Sequence, residues 1–364
     1  MDEKYIKAAA KLRKELHKIP EASMNEEKTK AALIKFLKEN TCLSVTDMGK
    51  WLYASYLYSD TAENLAFRAD FDAVKTACGE CAHLCGHDGH SAVLAAFGMF
   101  ISENKPEMNI YLIFQPGEES GEGAMLCREL IKEKNISEIY AFHNIPGYEK
   151  KNFLLRYGTF ACASTGFEVK YTGAVSHAAY PESGRNPAEA FAQLILDISE
   201  YTKSRDNGIL MSTVIGLDMG SSSYGVSAYS GSLKLTLRAE FAEEFSMLLD
   251  FIKQKAFSLA DKYGLETEIT EHEMFPSTEN HISCVDKISK AAEKCGYKTL
   301  CPEEPFRWSE DFGWYLKETE GAIFGIGSGK DHPQLHTESY EFPDDIIPAA
   351  LDIFKELIRQ KIYL

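Results

Sequence analysis

Between residues 64 and 146, apolar runs of strand length alternate with segments that carry apolar residues at helical spacing. The strand-like runs are NLAFRAD from Asn64, MNIYLIFQ from Met108 and SEIYAFHNIP from Ser137. The helical segments between them are HSAVLAAFGMFISE from His90 and AMLCRELIKEK from Ala124. Parallel strands need crossover connections, which usually contain a helix. The alternation therefore predicts an α/β fold with a mostly parallel sheet flanked by helices.

Residues 166 to 274 follow a different order, which predicts strand, helix, strand, strand, helix and strand. That order is typical of a ferredoxin-like α+β unit. A chain of 364 residues is long enough for two domains. We therefore expect one domain made of residues 1–165 and 275–364, with 166–274 inserted into it.

The charge and cysteine content narrow the classes of function. Lys+Arg 39 against Asp+Glu 55 gives a formal charge of −16, which disfavours binding to nucleic acid or to anionic membranes. We find no run of about 18 apolar residues and no apolar signal segment at the start, so we expect a cytoplasmic protein. The odd number of scattered cysteines, nine, favours reduced thiols.

Polar residues follow the strand-like runs at the point where each run ends. Asp70 and Asp72 follow the first run, Glu118 and Glu119 the second, and His143 lies near the end of the third. Ligands bind at the carboxyl ends of strands in open α/β sheets. Three separate segments can therefore deliver acids and a histidine to one edge.

The stretch CAHLCGHDGH, residues 81 to 90, is unusually rich in potential metal ligands. One interpretation is a closed structural zinc site built from Cys78, Cys81 and Cys85, and another is a reactive thiol. A catalytic site instead gathers ligands from distant segments, which Glu118 and Glu119 would allow. One of these carboxylates can bind a metal while the other takes a proton from water.

A series of short motifs runs through nearly the whole chain in a fixed order. They are LHKIPEASMNE from Leu16, RADFDA from Arg68, HLCGHDGH from His83, QPGEE from Gln115, HNIP from His143, SHAAYP from Ser176 with Asn186 and Pro187 after it, WSEDF from Trp308 and LHTESYEF from Leu335. With this series the chain resembles the aminoacylase, hippurate hydrolase and indole-acetyl-amino-acid hydrolase branch of the dinuclear metallopeptidases.

The resemblance implies two divalent metal ions, which could be zinc, manganese, cobalt or nickel. It implies that five side chains are metal ligands, namely Cys85, His87, Glu119, His143 and His336. The thiolate of Cys85 is the natural candidate to bridge the two ions. His17 and His90 match the motifs without being ligands in the family.

The resemblance also implies roles around the metals. Glu118 would be the general base and then the acid that protonates the leaving amine, while Asp70 and Asp72 would orient a ligand histidine. His177, in the inserted domain, would reach the scissile carbonyl when the domains close and stabilise the oxyanion. Arg238 would bind a substrate carboxylate.

The sequence departs from the family at two places. Aligning on Arg238 puts Gly225 where the family has an asparagine that contacts the substrate, and Ala228 where it has a proline. The loop between RADFDA and HLCGHDGH is also about ten residues shorter than is usual in the family that the motifs identify. Substrate preference therefore does not follow from the resemblance.

Taken together, the residues and the resemblance predict a metal-dependent amidohydrolase that cleaves N-acyl amino acids or related small acyl-amides. A dipeptidase or carboxypeptidase on the same scaffold and a ligand-binding member without catalysis stay open as alternatives. The inserted domain would serve as a lid or as the interface of a homodimer, with hinges near residues 165 and 275.

Overall fold

The computed structural model describes residues 3–76 and 78–362. Its strands are β1 (Ser44–Asp47), β2 (Leu52–Tyr56), β3 (Asn64–Asp70), β4 (Val74–Lys75), β5 (Cys81–Ala82), β6 (Asn109–Gln115), β7 (Glu138–Pro146), β8 (Phe153–Leu154), β9 (Gly158–Ala161), β10 (Ala163–Thr172), β11 (Leu210–Met219), β12 (Ser230–Ala239), β13 (Glu266–Phe275), β14 (Thr278–Asn280), β15 (Thr299–Leu300) and β16 (Glu320–Gly329). Its α-helices are α1 (Glu3–Leu16), α2 (Glu27–Asn40), α3 (His87–Asn104), α4 (Gly123–Cys127), α5 (Glu129–Glu133), α6 (Ala188–Ser204), α7 (Ala242–Tyr263), α8 (Ile282–Lys294), α9 (Gly313–Leu316) and α10 (Ile347–Ile362).

The described chain divides into two compact units. The first contains the chain up to Phe160, Thr278–Pro305 and the chain from Asp311 onward, and the second contains Ala161–Ser277 and Phe306–Glu310. The WSEDF motif is divided between the units. Its first three residues, 308–310, belong to the second unit, whereas Asp311 and the residue after it belong to the first.

The first unit is built on an eight-stranded sheet in the order β1-β2-β6-β3-β7-β16-β8-β15. Its four central strands, β6, β3, β7 and β16, are mutually parallel, and antiparallel pairing appears only toward the edges. β6 and β7 are buried along their whole length, as expected for strands covered on both faces. The predicted α/β architecture is confirmed, and the carboxyl ends of β3, β6 and β7 lie at one edge.

The second unit is a four-stranded antiparallel sheet in the order β11-β12-β10-β13, with α6 and α7 packed against it. If the strands β10, β11, β12 and β13 are numbered 1 to 4, their order across the sheet, starting from β13, is 4-1-3-2. This is the strand order of a ferredoxin-like fold. Tyr171 and Phe191 are among the fully buried residues of its own hydrophobic core. The predicted order of strands and helices is confirmed here.

Two helices differ from the sequence prediction. The helix predicted from His90 begins three residues earlier, at His87, because Gly86 adopts a left-handed conformation that allows the chain to enter the helix there. The helix predicted from Ala124 is two short helices, α4 and α5, separated by Arg128. Arg128 keeps helical dihedral angles (φ −61, ψ −27), so the hydrogen-bond pattern changes at this residue without a sharp bend.

Among the helices of residues 3–76 and 78–362, none is both long enough and apolar enough to cross a bilayer.

Candidate metal centre

The first two predicted ligands are placed by the start of α3. Cys85 precedes Gly86 and His87 is the first residue of the helix, so both side chains lie beside the carboxyl ends of the central strands. Gly86 has φ +100, and a Cβ there would lie 2.4 Å from Oδ1 of Asn144. Only glycine therefore fits between the two ligands and the end of β7.

All five predicted ligands lie in the first unit and form two groups. Cys85, His87 and His143 form one, with their candidate ligand atoms within 4.8 Å of one another. Cys85, Glu119 and His336 form the other at the same spacing. Cys85 belongs to both groups, so its thiol is near the candidate ligand atoms of each.

Two of the predicted ligand histidines have their ring orientation fixed by hydrogen bonds at Nδ1. The Nδ1 of His87 lies 2.9 Å from Oδ1 of Asp72, and the Nδ1 of His143 lies 2.9 Å from the carbonyl oxygen of Asn144. Each Nδ1 therefore carries a hydrogen, which leaves Nε2 to face the site. Nε2 of His143 lies 3.5 Å from the Cys85 sulfur.

The His87 Nε2 is buried and has no hydrogen-bond partner. It lies 3.8 Å from Oε2 of Glu118 and 3.8 Å from Oε1 of Glu119, which is too far for a direct hydrogen bond. Buried polar atoms are normally paired, so this nitrogen and the carboxylates around it leave a position suited to a positive ion.

The electrostatics of the site also favour a cation. Burial raises the pKa of the Cys85 thiol well above its ordinary value, and the nearby carboxylates of Glu119 and Glu118 raise it further. Burial lowers the pKa of His87, but Asp70 and Asp72 outweigh burial and raise it to about 10. The carboxylate contributions to both shifts mark a concentration of negative charge, which divalent ions would neutralise. Thiol, imidazole and carboxylate donors therefore fit the implied metals.

His143 is the neutral member of the group. Burial lowers its pKa well below the ordinary value, and the neighbouring His90 lowers it further. A neutral imidazole has a free lone pair, which is the form in which histidine binds a metal.

Glu118 and Glu119 lie on the turn that follows β6. The Glu118 side chain is buried, whereas that of Glu119 is 17% exposed. The backbone N–H of Glu119 donates to Oδ2 of Asp72 at 3.0 Å. Asp72 thus holds the His87 ring with one oxygen and the glutamate turn with the other.

His336 reaches the site from the loop after β16. Its Nε2 lies 3.2 Å from Oε1 of Glu119, and its backbone N–H donates to the carbonyl of Leu84 at 2.8 Å. Its φ is +63, a left-handed conformation that is uncommon for residues other than glycine. Non-glycine residues held in this region cluster at functional sites, where surrounding contacts maintain the strain.

Asp70 and Asp72 contact different histidines: Asp70 contacts His90, whereas Asp72 contacts His87. The Asp70 carboxylate lies 2.7 Å from Nδ1 of His90 and accepts a hydrogen bond from Arg68 at 2.7 Å. The distance from Asp70 to the His87 Nε2 is 3.9 Å, so it acts on that ligand through its charge. His90 in turn packs its ring against His143, with centroids 4.8 Å apart.

Beneath the site lies a buried polar network that sequence reasoning missed. Arg68 donates to Asp70, to Asp311 at 2.8 Å and to Gln115 at 2.8 Å. Asp311 also accepts from the Gln115 amide and from the backbone N–H of Ala124, each at 2.8 Å. The signal was present in the sequence, because these residues lie in the RADFDA, QPGEE and WSEDF motifs.

His177 and Arg238, for which roles at the substrate are predicted, lie in the second unit. His177 is exposed, and its Nδ1 accepts the backbone N–H of Ala179 at 3.1 Å, which puts the ring hydrogen on Nε2. Arg238 is half-buried on β12 and donates to the carbonyl of Arg307 and to Oγ of Ser309, each at 2.9 Å.

Cys78 and Cys81 are separate from the metal centre. They belong to a hairpin of β4 and β5 in which Lys75 pairs with Cys81. Cys78 is exposed, with its sulfur 3.1 Å from Oγ1 of Thr76. Within the described part of the chain, neither cysteine belongs to a group of potential metal ligands, in contrast with the structural zinc alternative.

Comparison with known proteins places these features in context. The chain is 26% identical to the N-acetyldiaminopimelate deacetylase of Lacticaseibacillus paracasei, covering 93% of this chain and 94% of that protein. It is 24% identical to the hippurate hydrolase of Campylobacter jejuni, covering 95% and 94% of the two chains.

A solved structure is similar in fold to this chain. It is that of a Bacillus subtilis protein described as a dinuclear metal binding peptidase from the M20 family, with a TM-score of 0.84 and 22% identity over 100% of this chain and 99% of that one. Residues 66–360 match the sequence profile of Peptidase family M20/M25/M40. That range includes the five predicted ligands, the whole second unit and most of the first. The chain therefore belongs to peptidase family M20/M25/M40.

Proposed function

We propose that the protein is a metal-dependent amidohydrolase that cleaves the amide bond of N-acyl amino acids or related small acyl-amides. The observation that carries this proposal is the convergence of five side chains on two groups that share Cys85. The names of two relatives, an N-acetyldiaminopimelate deacetylase and a hippurate hydrolase, support the substrate class. The products would be a carboxylic acid and an amino acid.

In this proposal Cys85, His87 and His143 would hold one divalent ion, and Cys85, Glu119 and His336 would hold the other. Zinc, manganese, cobalt and nickel all suit this mixture of thiolate, imidazole and carboxylate. When bound, such ions lower the pKa of water and polarise a carbonyl group. The protein contributes the arrangement of the ligands, since Asp72 and the Asn144 carbonyl keep two Nε2 atoms directed inward.

Glu118 is the proposed general base. Its carboxylate Oε2 lies next to the His87 Nε2 on the turn after β6, close to both ligand groups. It would take the proton of the attacking water and later deliver that proton to the leaving nitrogen of the substrate. One carboxylate can serve both steps because the first step protonates it and the second step returns it to its starting charge.

The second unit would contribute the remaining contacts. His177 would donate its Nε2 hydrogen to the substrate carbonyl oxygen, a role supported by the Ala179 N–H that occupies Nδ1. Arg238 would bind the substrate carboxylate through its guanidinium group. In this proposal residues 166–274 are a lid or a dimerisation domain, and residues 1–165 and 275–364 are the catalytic domain.

The test is amine release from acetyl-, benzoyl- and longer-chain acyl-amino acids and from dipeptides, after separate reloading with each of the four metals. Glu118→Gln should lower kcat by about 10²- to 10⁴-fold with unchanged metal content, because it removes proton transfer alone. Glu122→Gln, on the same loop but exposed, is the matched control and should keep its activity. Full activity in Glu118→Gln would exclude the proposed base.

The same substrate panel separates the alternatives. Faster release from dipeptides than from acyl-amino acids would favour a dipeptidase or carboxypeptidase. Tight binding of acyl-amino acids without turnover would favour a ligand-binding protein. The exposed Gly225, whose carbonyl accepts the N–H of Ala178 at 3.0 Å, is the departure that keeps this last alternative open.

We also propose that a homodimer forms through the second unit. β11 is an edge strand of its sheet and exposes Val214, Ile215 and Leu217. An edge strand with exposed apolar side chains favours pairing with another strand. Light scattering of Ile215→Lys should show a monomer if this edge forms the interface, whereas an unchanged mass would place the interface elsewhere.

Cytoplasmic location is the proposed setting. The exposed cysteines Cys42, Cys78 and Cys301 form no disulfide among the described residues. Unpaired exposed thiols suit a reducing compartment. Fractionation of the native host with antibody detection would test this.

A further inference from the structure

The segment from Glu21 to Glu26, at the end of the LHKIPEASMNE motif, contacts residues that adjoin the predicted metal ligands. The backbone N–H of Ala73 donates to the Glu21 carbonyl at 2.9 Å, and Oγ of Ser23 donates to Oδ2 of Asp72 at 2.7 Å. Oε1 of Glu26 accepts the backbone N–H of Gly117 at 2.8 Å. The segment therefore holds both the end of β3 and the turn that carries the two glutamates.

The Glu26 side chain is buried, with 3% of its surface exposed. Its Oε1 accepts two backbone hydrogen bonds of 2.8 Å, from Met24 and from Gly117, while Oε2 has no hydrogen-bond partner. Glutamate is rarely buried without an ion-pair partner, and none of the described contacts gives it one. Its position therefore needs an explanation beyond general stability.

The packing around this carboxyl group is tight. Met24 has φ +65, and Gly117 has φ +58. A Cβ on Gly117 would lie 2.6 Å from Sδ of Met24. The glycine therefore permits both the left-handed turn and the close approach of the Glu21–Glu26 segment.

Burial, and then the charge of Asp72, raise the pKa of Glu26 to about 7. Near neutral pH a substantial fraction of the protein molecules therefore carries Glu26 as the neutral acid. A carboxyl oxygen accepts backbone hydrogen bonds in both protonation states, so its contact with Gly117 persists in either one.

We infer that Glu26 is a positioning residue whose Oε1 fixes the Gly117 amide and thereby the direction in which Glu118 leaves the turn. Gly117 immediately precedes Glu118, so rotation of its peptide group would displace the carboxylate of the base. The inference rests on the proposed role of Glu118. It assigns to Glu26 no contact with the substrate or with the metals.

The experiment compares kcat, KM and metal content of the metal-loaded protein in three variants. Glu26→Ala removes the acceptor, and Glu26→Gln keeps an oxygen in its place while removing the charge. Glu138→Ala is the matched control, because Glu138 is a buried glutamate that accepts hydrogen bonds from Tyr140 and Lys287 at the opposite end of β7 from the site.

We expect Glu26→Ala to lower kcat by about 10- to 100-fold, with KM changed by less than about threefold and metal content unchanged, because a small displacement of a catalytic group slows chemistry more than binding. Glu26→Gln should recover kcat to within about threefold of the wild-type value, because its carbonyl oxygen accepts the same bonds. Glu138→Ala should leave kcat of the folded protein within about threefold, whatever it does to stability.

Three results would overturn the inference: kcat of Glu26→Ala matching that of the Glu138→Ala control, Glu26→Gln being as impaired as Glu26→Ala, or a loss of metal accounting for the whole effect. Glu118→Gln, measured alongside, separates this inference from the proposed function. If Glu118→Gln stays active, the proposed base is wrong. If it is inactive and Glu26→Ala is normal, the proposed base stands and Glu26 has no positioning role.

Discussion

Removing Asp311 tests whether the buried network beneath the metal centre stabilises the first unit. Asp311 and Arg68 are both buried, and the aspartate accepts hydrogen bonds from Arg68, Gln115 and the backbone of Ala124. Asp311→Ala would leave the buried guanidinium with Asp70 as its remaining carboxylate partner in this network. Two other buried donors would lose an acceptor at the same time.

The magnitude follows from these contacts. Breaking a buried ion pair by removing one partner costs about 3–5 kcal/mol, mostly because the other charge stays buried and incompletely paired. We therefore expect Asp311→Ala to lower the free energy of unfolding by about 3–5 kcal/mol, because the loss of two further hydrogen bonds offsets the pairing that Arg68 keeps with Asp70.

The assay is urea unfolding of the metal-loaded protein, followed by far-ultraviolet circular dichroism and tryptophan fluorescence. Asp345→Ala is the control, because Asp345 pairs with Lys150 at 2.6 Å while 65% of its side chain is exposed. That change should cost less than about 1 kcal/mol. A loss below about 1 kcal/mol for Asp311→Ala would refute the reasoning, since a buried charge would then have been left without measurable cost.

Three further predictions concern ionisable side chains in and around the predicted metal centre. Asp72→Ala should weaken metal affinity by about 10- to 100-fold in a chelator competition, because it frees the His87 ring; unchanged affinity would contradict this. Because the pKa of His87 is about 10 and that of Cys85 is also raised, metal must displace protons, so affinity should rise at least about tenfold per pH unit from pH 6 to 8; a pH-independent affinity would disprove this. For Glu26, the folded-state pKa of about 7 exceeds its ordinary 4.5, so the unfolded chain releases this proton first. Stability should therefore fall by about 3 kcal/mol as pH rises from about 4.5 to 7, and Glu26→Gln should lack this component in urea titrations at several pH values; equal pH dependence would count against it.

The fold could be predicted largely because the two units use different hydrophobic patterns. Continuous apolar runs such as NIYLIFQ in β6 indicate strands covered on both faces, and this burial is found along the whole strand. The order of elements in residues 166–274 was enough to predict a ferredoxin-like unit. The exact ends of helices were less predictable, because the start of α3 depends on the left-handed Gly86 and on its contact with Asn144.

The candidate ligands could be named because they follow strands or lie in short motifs. The sequence could not predict which of these residues contact one another, or which residues of the buried network beneath them do so. Both kinds of contact join distant segments of the chain. Cys85 and His143 are 58 positions apart, and Arg68 and Asp311 are 243 apart. No local pattern reports such a separation, and the backbone strain at His336 has no sequence signal of its own.

Glu26 shows why a motif residue can have a role that its spacing does not reveal. Its position in LHKIPEASMNE resembles that of an exposed acid before a helix, and it does immediately precede α2. In the structure its side chain makes no hydrogen bond that caps this helix, and it instead turns inward to the amide of Gly117, 91 positions away. Burial, and then the charge of Asp72, raise the pKa of this carboxyl group, which costs stability as pH rises from about 4.5 to 7. A residue that destabilises the fold under these conditions is best explained by what it positions, which is the turn that carries Glu118.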